Sequence, residues 1–191
     1  MIENYSRYID SYIATDIVPG EHHFVASYLL PRVFSISDEV PGYVNPDGMK
    51  GASGDLVSAL GSDTKYSIEV KLRTIRLTAR EFNDWVFEPI HSVVPTVFVG
   101  IGKKGIAVCS WQDFVHGYKE SITKPSNKRQ AWPTEKKKSG EYGPMKEVDV
   151  LLDDLPSEYV FRYVSDEKEA IELDSVFCAK LSELIGYGCS V

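Results

Sequence analysis

Two apolar runs, 93–101 (VVPTVFVGI) and 105–111 (GIAVCSW), flank a Gly-Lys-Lys-Gly turn and constrain this chain more than any other feature. They are short, rich in β-branched residues and apolar throughout, which predicts two buried strands joined by the turn. Strands buried in this way need other layers to cover them. Covering helices are legible. Residues 21–35 carry Phe24, Val25, Tyr28 and Leu29 at helical spacing, with Pro31 expected to kink or end the helix. Thr78-Ala79-Arg80-Glu81 is a capping box ahead of Phe82, Trp85 and Val86. Asp166 to Glu169 is a second, opening a helix with Leu173, Phe177, Leu181 and Leu184 that stops near Gly186. Short helices are also expected over 2–14 and 112–120, and strands over 147–152 and 158–164. The order predicts a single α/β domain over 1–191, a mixed β-sheet flanked by helices.

A second pair of strand-like runs carries the chemistry. Asp55–Leu60 and Lys65–Leu72 are joined by Gly61-Ser62-Asp63, a plausible hairpin turn. Glu69 and Lys71, two apart on one strand, share a face. A hairpin centred on Ser62 puts Asp55 opposite Glu69, with Cβ atoms about 5 Å apart. Like charges so placed repel, and a divalent cation between them is the natural remedy. Carboxylates suit Mg²⁺, which keeps waters and binds substrate phosphate, with Mn²⁺ as a substitute. Lys71 on the same face is placed to stabilise charge developing on a phosphate or to orient an attacking water. Metal-assisted phosphodiester hydrolysis needs these parts.

Asp55 ahead of a hydrophobic strand, then Glu69-Val70-Lys71 in the next, resembles the PD-(D/E)XK nuclease superfamily, which includes type II restriction endonucleases, Holliday-junction resolvases and repair nucleases. The resemblance covers roughly residues 20–110. It implies a restriction-endonuclease-like core with the metal site at one end of a bent hairpin. Asp55 and Glu69 would be the metal ligands, and Lys71 would be catalytic. Members often add an acid from the preceding helix, and Glu21 matches by place and face. Gly54 stands where a proline usually precedes the first acid. Pro46-Asp47 fits the letters better but lies in a Gly/Pro loop with no strand after it, so Asp55 is preferred to Asp47. On the helix after the motif, Glu81 or Asn83 is a candidate polar residue facing the site.

Net charge is −7, which excludes a protein that coats nucleic acid non-specifically, but the charge is uneven. Lys119–Lys138 holds seven bases against two acids, a net of +5, and most of it falls in a polar stretch (121–146) expected to be a long loop. There Lys124, Lys128, Arg129 and Gln130 are the side chains for phosphates and base edges. Arg73, Arg76 and Arg80 follow the metal motif and are placed to track a DNA backbone. Residues 147–174 carry ten acids against two bases. His22 and His23 are adjacent and cannot share a metal from one helix face. Three widely spaced cysteines make no disulfide framework or zinc pair and fit a reducing cytoplasm. No apolar run is long enough to span a membrane, and the opening MIENYSRYID has no signal-peptide character. The expectation is a Mg²⁺-dependent DNA endonuclease of the type II restriction kind, working as a homodimer because two strands must be cut. A structure-selective resolvase or repair nuclease, and a non-catalytic DNA- or protein-binding module, are the alternatives.

Overall fold

The computed structural model describes residues 28–36, 41–43, 55–58, 66–90, 94–123 and 142–186. The expected helix at 2–14, Glu21, His22, His23, Asp47 and the basic residues Lys124, Lys128, Arg129 and Gln130 lie outside them.

Six strands form one sheet: β1 (Pro41–Tyr43), β2 (Leu56–Ser58), β3 (Ser67–Leu72), β5 (Val97–Ile101), β6 (Gly105–Ser110) and β8 (Val160–Arg162), side by side in that order. All neighbours are antiparallel except β3 and β5, which are parallel. The sheet is therefore mixed. A parallel pair needs a crossover, and here it contains β4 (Thr74–Thr78) and α2, a turn over Ala79–Glu81 that continues as a π-helical Phe82–Phe87. β4 leaves the sheet and pairs with β7 (Tyr142–Glu147) as a separate two-stranded ribbon.

Strand alternation sorts the core into two layers. On one face Ile68, Val70, Val97, Val99, Ile101, Ile106 and Val108 pack under α1 (Leu30–Ile36) and α5 (Glu167–Leu184), through Val33, Phe177 and Leu181. Phe177 meets Tyr28 and Phe161 edge-on. On the other face Phe98, Ala107 and Cys109 pack against α2, α3 (Trp111–Thr123), α4 (Val148–Leu152) and the ribbon. Phe98 stacks on Phe114 at 3.7 Å between centroids and meets Trp85 edge-on at 5.8 Å. The sheet is thus covered on both sides, as its apolar strands require.

Three expectations need correction. The sequence pattern predicts a strand over 147–152, but Val148–Leu152 is helical. Val148, Leu151 and Leu152 are buried at helical spacing, and the helix lets the Asp149 carboxylate accept from the Lys103 and Lys104 amides at 3.1 and 2.9 Å. That contact ties α4 to the β5–β6 turn, where Gly102 leaves room that a Cβ would take from the Asp149 carboxylate. The expected loop over 121–146 is shorter at both ends, because α3 runs to Thr123 and β7 begins at Tyr142. Pro31 does not end its helix: residues 28–29 are π-helical and Leu30–Ile36 continue as α-helix through the proline.

Candidate functional site

β2 and β3 adopt the predicted register. Leu56 pairs with Ile68 and Val57 with Ser67, and Asp55 stands one residue before β2. The Asp55 amide donates to the Ile68 carbonyl at 2.8 Å, one residue out of the β2–β3 register, so the ladder turns irregular at the acid. Its Oδ2 accepts from the Val70 amide at 2.8 Å, so the carboxylate is anchored to the strand that bears Glu69 and Lys71. Asp55 and Glu69 are both buried.

Alternation puts Ser67, Glu69 and Lys71 on the face that otherwise holds the aromatic core, beside Phe98 and Gly100 of β5. This polar stripe is expensive there unless its groups are partnered. Lys71 Nζ forms an ion pair with Glu69 Oε1, lies 3.8 Å from Glu81 Oε1 and sits 5.9 Å from the Trp85 ring centroid. Burial pushes the Glu69 carboxyl up from 4.5 to about 8; Lys71 draws it down, and Asp55 and Glu81 raise it. Burial outweighs the ion pair, so the Glu69 carboxyl holds its proton to higher pH than a free glutamate does.

α2 supplies the remaining polar group. The Thr78–Glu81 capping box is made in both directions: the Thr78 amide donates to Glu81 Oε2 at 2.6 Å, and the Glu81 amide donates to Thr78 Oγ1 at 3.2 Å. Phe82, Trp85 and Val86 anchor the helix in the core, and Asn83 is buried with them.

The sequence-predicted residues separate clearly. Asp55, Glu69 and Lys71 come together, and Glu81 joins them from α2. Trp85 has only a core signature in the sequence, and its place beside Lys71 depends on how α2 docks. Arg76 and Arg80 are exposed, on β4 and at the start of α2. Arg80 reaches Asp84 at 3.4 Å and keeps 81% of its side-chain surface exposed. Arg73 lies between β3 and β4 with φ of 62°, left-handed backbone that a non-glycine residue seldom adopts. Its amide donates to the Ile101 carbonyl and its carbonyl accepts from Val148, which holds the backbone there. The Arg73 Nε and Nη2 atoms are buried with no hydrogen-bond partner among the described residues.

Among the described residues, no group of three or more His, Cys, Asp and Glu side chains is arranged to hold a metal ion. The donor chemistry still fits a hard divalent cation. Two carboxylates are buried near each other, the Glu69 carboxyl raised by burial and, less, by the Asp55 charge, and Mg²⁺ commonly takes one or two carboxylates plus phosphate and water. No helix among the described residues is long and apolar enough to cross a membrane. No protein-family model matches the chain, and neither a curated protein nor a solved structure does.

Proposed function

We infer that the protein is a Mg²⁺-dependent DNA endonuclease of the PD-(D/E)XK type. The observation that carries this reading is the Asp55–Glu69 pair. Asp55, just before β2, and Glu69 of β3 are both buried, the Asp55 carboxylate is held by the neighbouring Val70 amide, and Lys71 lies two residues beyond Glu69 on the same face. The sheet order supports it as well. An antiparallel β1-β2-β3 unit is joined through α2 to a parallel β5, with helices on both faces, in keeping with a restriction-endonuclease-like core.

Asp55 and Glu69 would hold the cation through their carboxylate oxygens. The Val70 amide fixes the Asp55 carboxylate before any ligand arrives, which lowers the cost of ordering it. When bound, Mg²⁺ supplies Lewis-acid stabilisation of the phosphate and of the attacking water. Lys71 then places its ammonium against charge building up on the phosphate oxygens. Hydrolysis in this chemistry leaves a 3′-hydroxyl and a 5′-phosphate. Arg73 supports a polyanionic substrate, because its buried donors lack an acceptor that a phosphate could supply. Exposed Arg76 and Arg80, and Lys124, Lys128, Arg129 and Gln130 in the basic segment, would extend the contact along DNA. Cutting both strands favours a homodimer.

The test is incubation of end-labelled duplex and branched DNA with the protein and Mg²⁺. Cleavage to 3′-hydroxyl and 5′-phosphate ends is expected, lost in both Asp55→Ala and Glu69→Ala while the fold persists. Turnover near wild-type level by both variants would sink the assignment.

A further inference from the structure

We propose that Glu81 is a positioning residue that keeps the Lys71 ammonium aimed into the site, its carboxylate held by the helix cap it also forms. The inference rests on the nuclease reading of the Asp55–Glu69 pair.

The two oxygens of Glu81 have different partners. Oε2 accepts from the Thr78 amide at 2.6 Å, while Oε1 faces Lys71 Nζ at 3.8 Å. A capping box needs only the first of these contacts. The second joins the start of α2 to the middle of the catalytic strand, across the β4 excursion. The reciprocal bond from the Glu81 amide to Thr78 Oγ1 at 3.2 Å fixes the backbone from which the side chain reaches. The orientation of Oε1 is therefore set by local geometry and does not depend on Lys71.

Lysine is a point charge on a flexible four-carbon stem, so its placement is entropically costly. Glu69, Glu81 and the Trp85 ring share that task. In the proposed reaction Glu69 turns its oxygens to the cation, which weakens its hold on Lys71. Glu81 is the partner not required for that role. Its side chain is 26% exposed against 9% for Glu69, so it approaches Lys71 from the more open side. Thr78 closes β4, so the ribbon β4–β7 and the catalytic lysine are joined by one hydrogen-bonded corner.

The test is a double-mutant cycle on single-turnover cleavage with Mg²⁺, using wild type, Glu81→Gln, Lys71→Ala and the double variant. Gln keeps an acceptor for the Thr78 amide, so the cap and fold are retained. The expected result is a fall of about ten- to a hundredfold in the cleavage rate of Glu81→Gln with DNA affinity unchanged. In the Lys71→Ala background the same substitution should cost nothing further. An unchanged rate in Glu81→Gln overturns the inference and leaves the nuclease reading standing. So does an equal loss in both backgrounds, which would make Glu81 a direct participant. A wild-type protein inert on DNA with Mg²⁺ overturns the nuclease reading and the inference together, and the wild-type control tells that case apart.

Discussion

Replacing Glu69 by Gln should make the protein more stable, and by an amount that grows with pH. Burial is the main reason the Glu69 carboxyl titrates at about 8, with Asp55 and Glu81 adding to the effect and Lys71 opposing it. In the unfolded chain the same group titrates at its ordinary 4.5. Between those values the folded protein keeps a proton that the unfolded chain has released. The stabilisation is thus fully present below 4.5 and is lost as pH rises to about 8. At about 1.4 kcal/mol for each pH unit, that interval amounts to about 5 kcal/mol. This is a large share of the total stability of an ordinary domain. Gln fills nearly the same volume and does not titrate, so it removes the slope. Urea unfolding of wild type and Glu69→Gln in EDTA, at pH 5 and pH 9, measures the difference. The variant should gain on the wild type by about 4 kcal/mol between those two pH values. Groups that titrate equally in both proteins cancel. A gap between the two that is constant with pH, or that widens in favour of the wild type, would refute the account of a buried, electrostatically frustrated carboxyl.

Other outcomes follow from the same structure. Arg32 donates to Asp174 at 2.8–2.9 Å from Nε and Nη2 and lies over the Tyr28 ring, clamping α1 to α5. Arg32→Ala should destabilise by about 2–3 kcal/mol in chemical denaturation, because Asp174 then stays mostly buried without its cation. Gly102→Ala pushes a methyl group into the Asp149 carboxylate and should cost about 1–3 kcal/mol in the same assay. Arg73→Gly should relieve left-handed strain and raise stability by about 1 kcal/mol, while weakening DNA binding and flattening its salt dependence. Filter binding at several salt concentrations checks the second part, and an unchanged slope would remove Arg73 from the interface.

Much of the site is legible in the sequence because it is local. The Ser62-centred register follows from alternation on either side of one turn and holds for Leu56–Ile68 and Val57–Ser67, while the Asp55 amide turns to the Ile68 carbonyl, an irregularity with no signal in the alternation. The Gly-Lys-Lys-Gly turn and both capping boxes are legible for the same reason: each closes within a few residues. The features that escape a sequence reading depend on distant partners. Val148-Asp149-Val150 alternates like a strand, and only docking of Val148, Leu151 and Leu152, with Asp149 held by the β5–β6 turn, makes it helical. β4 carries a clear signal, Thr74-Ile75-Arg76-Leu77-Thr78, in which Ile75 and Leu77 are buried and the others exposed. The arginines on either side of it make a basic run that masks this alternation. Glu81 is a candidate from the resemblance alone, since locally the capping box already accounts for the glutamate, and only the docking of α2 brings it to Lys71.

Cleavage of supercoiled plasmid tests the central claim most directly, with wild type and Glu69→Ala each incubated with Mg²⁺ and with EDTA. The account predicts nicked or linear product from wild type with Mg²⁺ alone, and none from the variant. Product that persists in EDTA, or that Glu69→Ala forms as readily as wild type, would contradict it.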